Sequence, residues 1–118
     1  MHLQHVSMAL DHGASCEILP AAPDGWVEVR VGGQVDQAGV RAIEGSVRFA
    51  AADAPRGVLI DCSGCHFVDS SGLRLLVETQ QMASARGIGW RLRPSEQLRQ
   101  LLVLTSLEDM LLGTPATL

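Results

Sequence analysis

Apolar and polar positions in this chain alternate between two periods. Trp26-Val27-Glu28-Val29-Arg30-Val31 changes character at every residue, the pattern of a strand with one buried face. Val58–Cys62 is apolar except for Asp61, as in a central strand covered by helices. Ile88–Arg93 places Ile88, Trp90 and Leu92 on one side of a further strand. Cys16–Leu19 reads as a short edge strand stopped by Pro20, with Asp24-Gly25 turning the chain into the next one. Gly32-Gly33 is expected to end the strand that starts at Trp26. Ser63-Gly64 predicts a tight turn after Cys62, before the chain runs on through His66-Phe67-Val68.

Between these runs the period lengthens to that of a helix. Asp36 stands as N-cap of a helix over 37–52, with Val40, Ile43, Val47 and Ala50 or Ala51 facing inward. A second helix runs from about Ser71 to Arg86 and closes at Gly87, with Arg86 at its negative end. Leu73, Leu76, Val77 and Ala83 form its expected core stripe. Leu75, Thr79, Met82 and Arg86 form a second stripe, expected to be exposed. Pro94-Ser95 opens a third helix, Glu96–Leu104, which packs by Leu98, Leu101 and Leu102. Ser106 and Asp109, at capping-box spacing, start a last short helix that Gly113-Thr114-Pro115 ends. The alternation predicts an α/β fold in a single domain, a mixed sheet of about four to five strands packed against helices. Residues 1–14 have no clear period and are expected to form a flexible N-terminal arm before a domain over 15–118.

Composition narrows the function classes. The 118 residues carry a net charge of −4 with no run of Lys or Arg, and there is no Tyr beside two Phe and two Trp. A nucleic-acid partner is therefore not expected. No apolar run is long enough for membrane insertion, and the N-terminus lacks the basic-then-apolar order of a leader. Three cysteines are an odd number for a disulfide framework and suit a reducing compartment, so a cytoplasmic location is expected.

Cys62-Ser63-Gly64-Cys65-His66 matches the C-x-x-C-H pattern of covalent haem attachment. Its first cysteine closes a buried strand, which favours reading both as small core residues. No second Cys/His pair supplies four zinc ligands, and neither G-x-G-x-x-G nor a P-loop is present. No metal or cofactor is expected, and without a G-x-S-x-G setting for its serines the chain is a poor candidate for a hydrolase. Asp69-Ser70-Ser71-Gly72 falls where a helix begins, beside free backbone N–H groups that suit a phosphate. Ser70 is there a phosphate-bearing switch, a nucleophile or an ordinary helix cap.

The stretch Gly57–Gly87, GVLIDCSGCHFVDSSGLRLLVETQQMASARG, resembles the central signature of STAS domains, especially the free-standing anti-sigma factor antagonists. An apolar strand, Asp61, an apolar residue, Ser63-Gly64 and then Asp69-Ser70-Ser71-Gly72-Leu73 follow the family's order. Gly33-Gln34-Val35-Asp36 resembles its Gly-x-Leu-Asp, and Leu101–Leu107 its Leu-x-Leu-Thr-Gly-Leu, with Ser106 in place of Gly. The resemblance spans about Glu17 to Leu112 and sets Cys62 and Cys65 where the family has aliphatic residues. It implies a STAS fold and a bacterial partner switch that regulates transcription indirectly. An anti-sigma factor that is also a serine kinase binds the unphosphorylated protein and phosphorylates Ser70, and a metal-dependent serine phosphatase reverses this. Asp36, Asp69, Ser71, Gly72, Leu75, Thr79 and Met82 are the expected partner-binding residues. Asp36 either assists recognition or only caps its helix. The alternative within the fold is a STAS subunit of a lipid-transport or stress-sensing assembly that is not phosphorylated.

Overall fold

The computed structural model describes residues 6–9, 15–19, 23–52 and 56–112. Its strands are β1 (Val6–Ala9), β2 (Ser15–Leu19), β3 (Trp26–Val35), β4 (Gly57–Val68) and β5 (Gly89–Pro94). Its helices are α1 (Gln37–Ala52), α2 (Ser70–Arg86), α3 (Glu96–Leu104) and α4 (Glu108–Leu112). The strands form one five-stranded sheet in the order β1-β2-β3-β4-β5. The β1–β2 and β2–β3 pairs are antiparallel, and β3–β4 and β4–β5 are parallel. This is the mixed α/β sheet that the alternating pattern predicts.

Three local expectations change. Val6–Ala9, inside the expected arm, pairs with β2 in the register Val6↔Ile18, so β2 lies inside the sheet rather than at its edge. β3 does not stop at Gly32-Gly33 but continues to Val35, with Gly33 at φ 79°. No turn forms at Ser63-Gly64 either, because β4 pairs with β3 on both sides of it. The register moves from Arg30↔Asp61 to Gly32↔Gly64 and then to Gln34↔Phe67, so β4 carries an extra residue at each shift. The glycines face each other where the strands bulge, which lets the backbones stay close. The shift also reverses the alternation of side chains: Cys65 turns inward, while Ser63 and His66 are exposed. Residues 1–5, 10–14, 20–22, 53–55 and 113–118, which include parts of the expected arm and turns, lie outside the described residues.

One face of the sheet makes the core. Cys16 and Ile18 of β2, Val27, Val29 and Val31 of β3, and Val58, Ile60 and Cys62 of β4 join Ile43, Val47, Leu75, Leu76, Leu98, Leu102 and Leu111 from the helices in one cluster. The other face is polar. Arg30 pairs with Glu17 and Glu28 there, and Arg93 with Asp61 at 3.0 Å. Arg91 stacks on Trp26, 4.1 Å from the ring centroid. The Trp26 ring lies across Gly57 and Gly89, where an added Cβ would meet it at 2.7 Å and 2.4 Å.

The helix ends follow their sequence signals. Ser95 Oγ accepts from Leu98 N at 3.1 Å and caps α3. Gly87, at φ 70°, closes α2, with Gly87 N donating to Ser84 O and Ile88 N to Ala83 O. α3 closes the same way through Ser106 N to Val103 O and Leu107 N to Leu102 O, but with a serine at φ 60°. That left-handed backbone is the physical reason a glycine suits this position, and Ser106 occupies it at a steric cost. Leu107, rather than Ser106, therefore stands immediately before α4. Trp90 Nε1 donates to Leu111 O at 3.3 Å and ties α4 to β5.

Candidate functional site

β3 and β4 are parallel and end together at the register pair Val35↔Val68. Asp36 and Asp69 follow them, and then α1 and α2 begin. Asp69 N donates to Val35 O at 3.2 Å, so the two helix starts are stitched side by side. The N-cap of α2 is Asp69, one residue before the Ser70 that the sequence offers as a cap: its Oδ1 accepts from Gly72 N at 3.1 Å, and its carbonyl from Leu73 N at 3.0 Å. Asp36 Oδ1 accepts from Gly39 N at 3.4 Å at the start of α1. Both carboxylates thus have a structural task.

Ser70 is the first residue of α2 and is exposed, while Ser71 is half-buried. Among the described residues neither hydroxyl is hydrogen-bonded to a histidine or carboxylate that could deprotonate it. The arrangement presents a free hydroxyl at a capped helix start. Gly72 is buried, and its missing side chain lets α2 sit directly on the ends of β3 and β4.

The exposed stripe expected on α2 is not where the pattern placed it. Leu75 and Thr79 are each 2% exposed and belong to the core; Met82 is half-buried. The physical reason is that α2 meets the sheet through its small residues, Gly72, Thr79 and Ala83, with Leu75 and Leu76 to either side. Thr79 is accommodated because its hydroxyl donates to Leu75 O and Leu76 O of its own helix, at 2.9 and 3.1 Å. The outward ridge is Ser70, Arg74, Glu78, Gln81 and Ala85, all exposed. It borders a groove of about 460 Å³ between α1 and α2, rimmed by Arg41, Arg74, Ser70 and Ser71 with Val40 and Leu75 behind them. Periodicity alone missed Arg41 and Arg74; their spacing from the two helix starts was the available signal.

Other candidates separate from this site. Cys62 and Cys65 are buried, with Cys65 Sγ donating to Val31 O at 3.3 Å, whereas His66 is exposed. The contact with Cys65 and burial push the Cys62 thiol well up, and burial pushes Cys16 up. Neither is poised as a thiolate. Among the described residues no group of His, Cys, Asp and Glu is arranged to hold a metal, and no helix is long and apolar enough to cross a membrane. A larger hollow, about 630 Å³, lies along β5 beside Gln80, Trp90, Arg99 and Met110, and contains none of the expected site residues.

The model of the STAS domain matches residues 18–118. The chain belongs to the STAS domain family. No curated protein matches this STAS domain. Among solved structures it is similar to an anti-sigma factor antagonist from Mycobacterium paratuberculosis, at 23% identity and a TM-score of 0.69, over 88% of this chain and 87% of that one. It is also similar to the anti-sigma factor antagonist SpoIIAA in its unphosphorylated form, at 20% identity and a TM-score of 0.63, over 86% and 89% of the two chains. The phosphorylated form of SpoIIAA, a Bacillus cell fate determinant, matches at 19% identity and a TM-score of 0.64, over 86% and 92%. At these identities the likeness establishes the fold.

Proposed function

We propose that this STAS domain is a cytoplasmic, non-enzymatic anti-sigma factor antagonist, switched by phosphorylation of Ser70. The observation that carries the reading is Ser70 itself: an exposed hydroxyl, unengaged among the described residues, on the first residue of a helix capped by Asp69, within Asp-Ser-Ser-Gly. Its partner is an anti-sigma factor serine kinase. Ser70 Oγ attacks the γ-phosphorus of the kinase's ATP, ADP leaves, and the hydroxyl proton passes to the kinase or to solvent. A metal-dependent serine phosphatase returns the hydroxyl by hydrolysis. The likeness to SpoIIAA, solved with and without its phosphate, supports this reading.

Electrostatics explains how one group can switch binding without disturbing the fold. Phosphorylation adds about −1.5 to −2 charges. At a helix N-terminus an anion is favoured by about 0.3–1 kcal/mol. Inside a partner interface, beside Asp69, the same group is desolvated next to a like charge and opposes association. The docking surface consists of the outward ridge from Ser70 to Gln81 with Ser71 and Met82 at its margin; Asp36, Asp69 and Gly72 hold that ridge in place. Leu75 and Thr79 contribute from within the core.

Calorimetric titration with the cognate kinase tests the reading. Ser70→Ala retains binding, whereas Ser70→Asp weakens it by about tenfold or more, equivalent to about 1.4 kcal/mol. Equal affinity of the wild type and Ser70→Asp for every cognate kinase contradicts the switch and favours the unphosphorylated assembly role.

A further inference from the structure

Two arginines rim the groove beside Ser70, and neither has an ion pair or hydrogen bond among the described residues. Gln37 and Ser70 begin their helices immediately after Asp36 and Asp69, at the same level of the sheet. Arg41 and Arg74 each stand four residues further on, about one turn in, and both line the groove. Residues four apart on a helix are neighbours, and side chains lean toward the helix N-terminus. Arg74 therefore stands on the same face of α2 as Ser70, one turn away. Four carboxylates lie around the two cations. Asp69 and Asp36 accept from Gly72 N and Gly39 N, and Glu44 is held by Arg48 at 3.0 Å. Glu78, one turn beyond Arg74, forms no ion pair with it.

We propose that Arg41 and Arg74 form a phosphate clasp: the phosphoryl group on Ser70 folds into the α1–α2 groove and pairs with both guanidinium groups. The proposal rests on the reading that Ser70 is phosphorylated, and it adds where the group goes. The guanidinium fork matches phosphate geometry and stays charged at any relevant pH. The clasp makes the switch act twice: it places an anion beside the docking ridge and engages Arg74, the cation of that ridge.

The test uses phosphoserine installed at position 70 by genetic encoding, so that no kinase is needed, followed by 31P NMR titration. Free phosphoserine loses its second proton near pH 6. In the wild type this pKa falls about 0.5–1 unit below its value in a phosphopeptide spanning 66–76. In R41Q/R74Q it rises back toward the peptide value, keeping only the part that the α2 N-terminus supplies. A wild-type value equal to the peptide's, or a lowering of the same size in R41Q/R74Q as in the wild type, overturns the clasp. A second readout needs no variant: the Nε–H signals of Arg41 and Arg74 shift between the unmodified and phosphorylated proteins, and unshifted signals count against pairing. The two readings fail separately. A failed titration with a kinase that still modifies Ser70 removes the clasp alone, whereas a Ser70 that no kinase modifies removes the switch, and the clasp's role with it, even where the installed phosphoserine pairs with the arginines.

Discussion

At Gly72 there is no room for a side chain. An added Cβ would lie 2.6 Å from Val68 Cγ1, 3.1 Å from Val35 Cγ1 and 3.3 Å from Val35 O. Alanine is the better helix former by about 1 kcal/mol, but overpacking of this kind costs about 1–3 kcal/mol. Gly72→Ala therefore destabilises the domain, seen as a lower urea midpoint, and any loss of binding in that variant follows from a displaced α2. Asp61, on the opposite face, is set by competing forces. Burial is the largest influence and pulls its carboxyl upward, but hydrogen bonds from Ser63 Oγ and Ser63 N, with pairing to Arg93, outweigh it and hold it below the usual range. A lowered folded-state pKa means its stabilising contribution is present above the unfolded value, near pH 3.9, and is lost as pH falls through the folded value. Asp61→Asn should cost about 1–2 kcal/mol at neutral pH. Urea midpoints of the two proteins should keep a constant gap above about pH 5 and converge in stronger acid.

On the scale of the element, α2 decides how the site is presented. Leu75, buried at 2% exposure, is a core residue, so Leu75→Ala should cost about 2–5 kcal/mol of stability in chemical denaturation. Gln81→Ala, on the exposed ridge, should change stability by no more than about 0.5 kcal/mol. The reverse ranking would restore Leu75 to the surface. The span of this helix was legible in sequence to within a residue, because the Asp-Ser-Ser-Gly run and Gly87 carry strong end signals. Its orientation was not, because apolar periodicity gives little weight to Gly72, Thr79 and Ala83, small residues that are buried beside Leu75 and Leu76. The β4 bulge was hidden for a similar reason. Ser63-Gly64 has turn chemistry, and only pairing with β3 on both sides makes it an irregularity within a strand. β1 was hidden in a polar segment whose strand character comes from pairing with β2. That a helix begins at Asp69-Ser70-Ser71-Gly72 was legible, since a capping motif is local. The groove was not, because it joins residues from two helices that meet only through the parallel register of β3 and β4.

The whole molecule is a sheet with a charged face and a helical face, and the site lies at the rim where two parallel strands deliver two helix starts. This placement separates binding from stability. A negative charge at residue 70 meets the α2 N-terminus and the groove arginines rather than the core, so Ser70→Asp should leave the thermal midpoint within about 2–4 °C of wild type, the shift expected of roughly half a kcal/mol in a domain of this size. A large drop would mean that α2 depends on the Ser70 hydroxyl and that lost binding reflects unfolding. The central claim is that Ser70 is the residue modified, and phosphosite mapping tests it most directly. The protein is incubated with a cognate anti-sigma factor kinase and ATP, and the product is digested and sequenced by mass spectrometry. The account predicts one phosphoryl group, on exposed Ser70 and not on half-buried Ser71. Phosphate on another residue, or none with any cognate kinase, would contradict it.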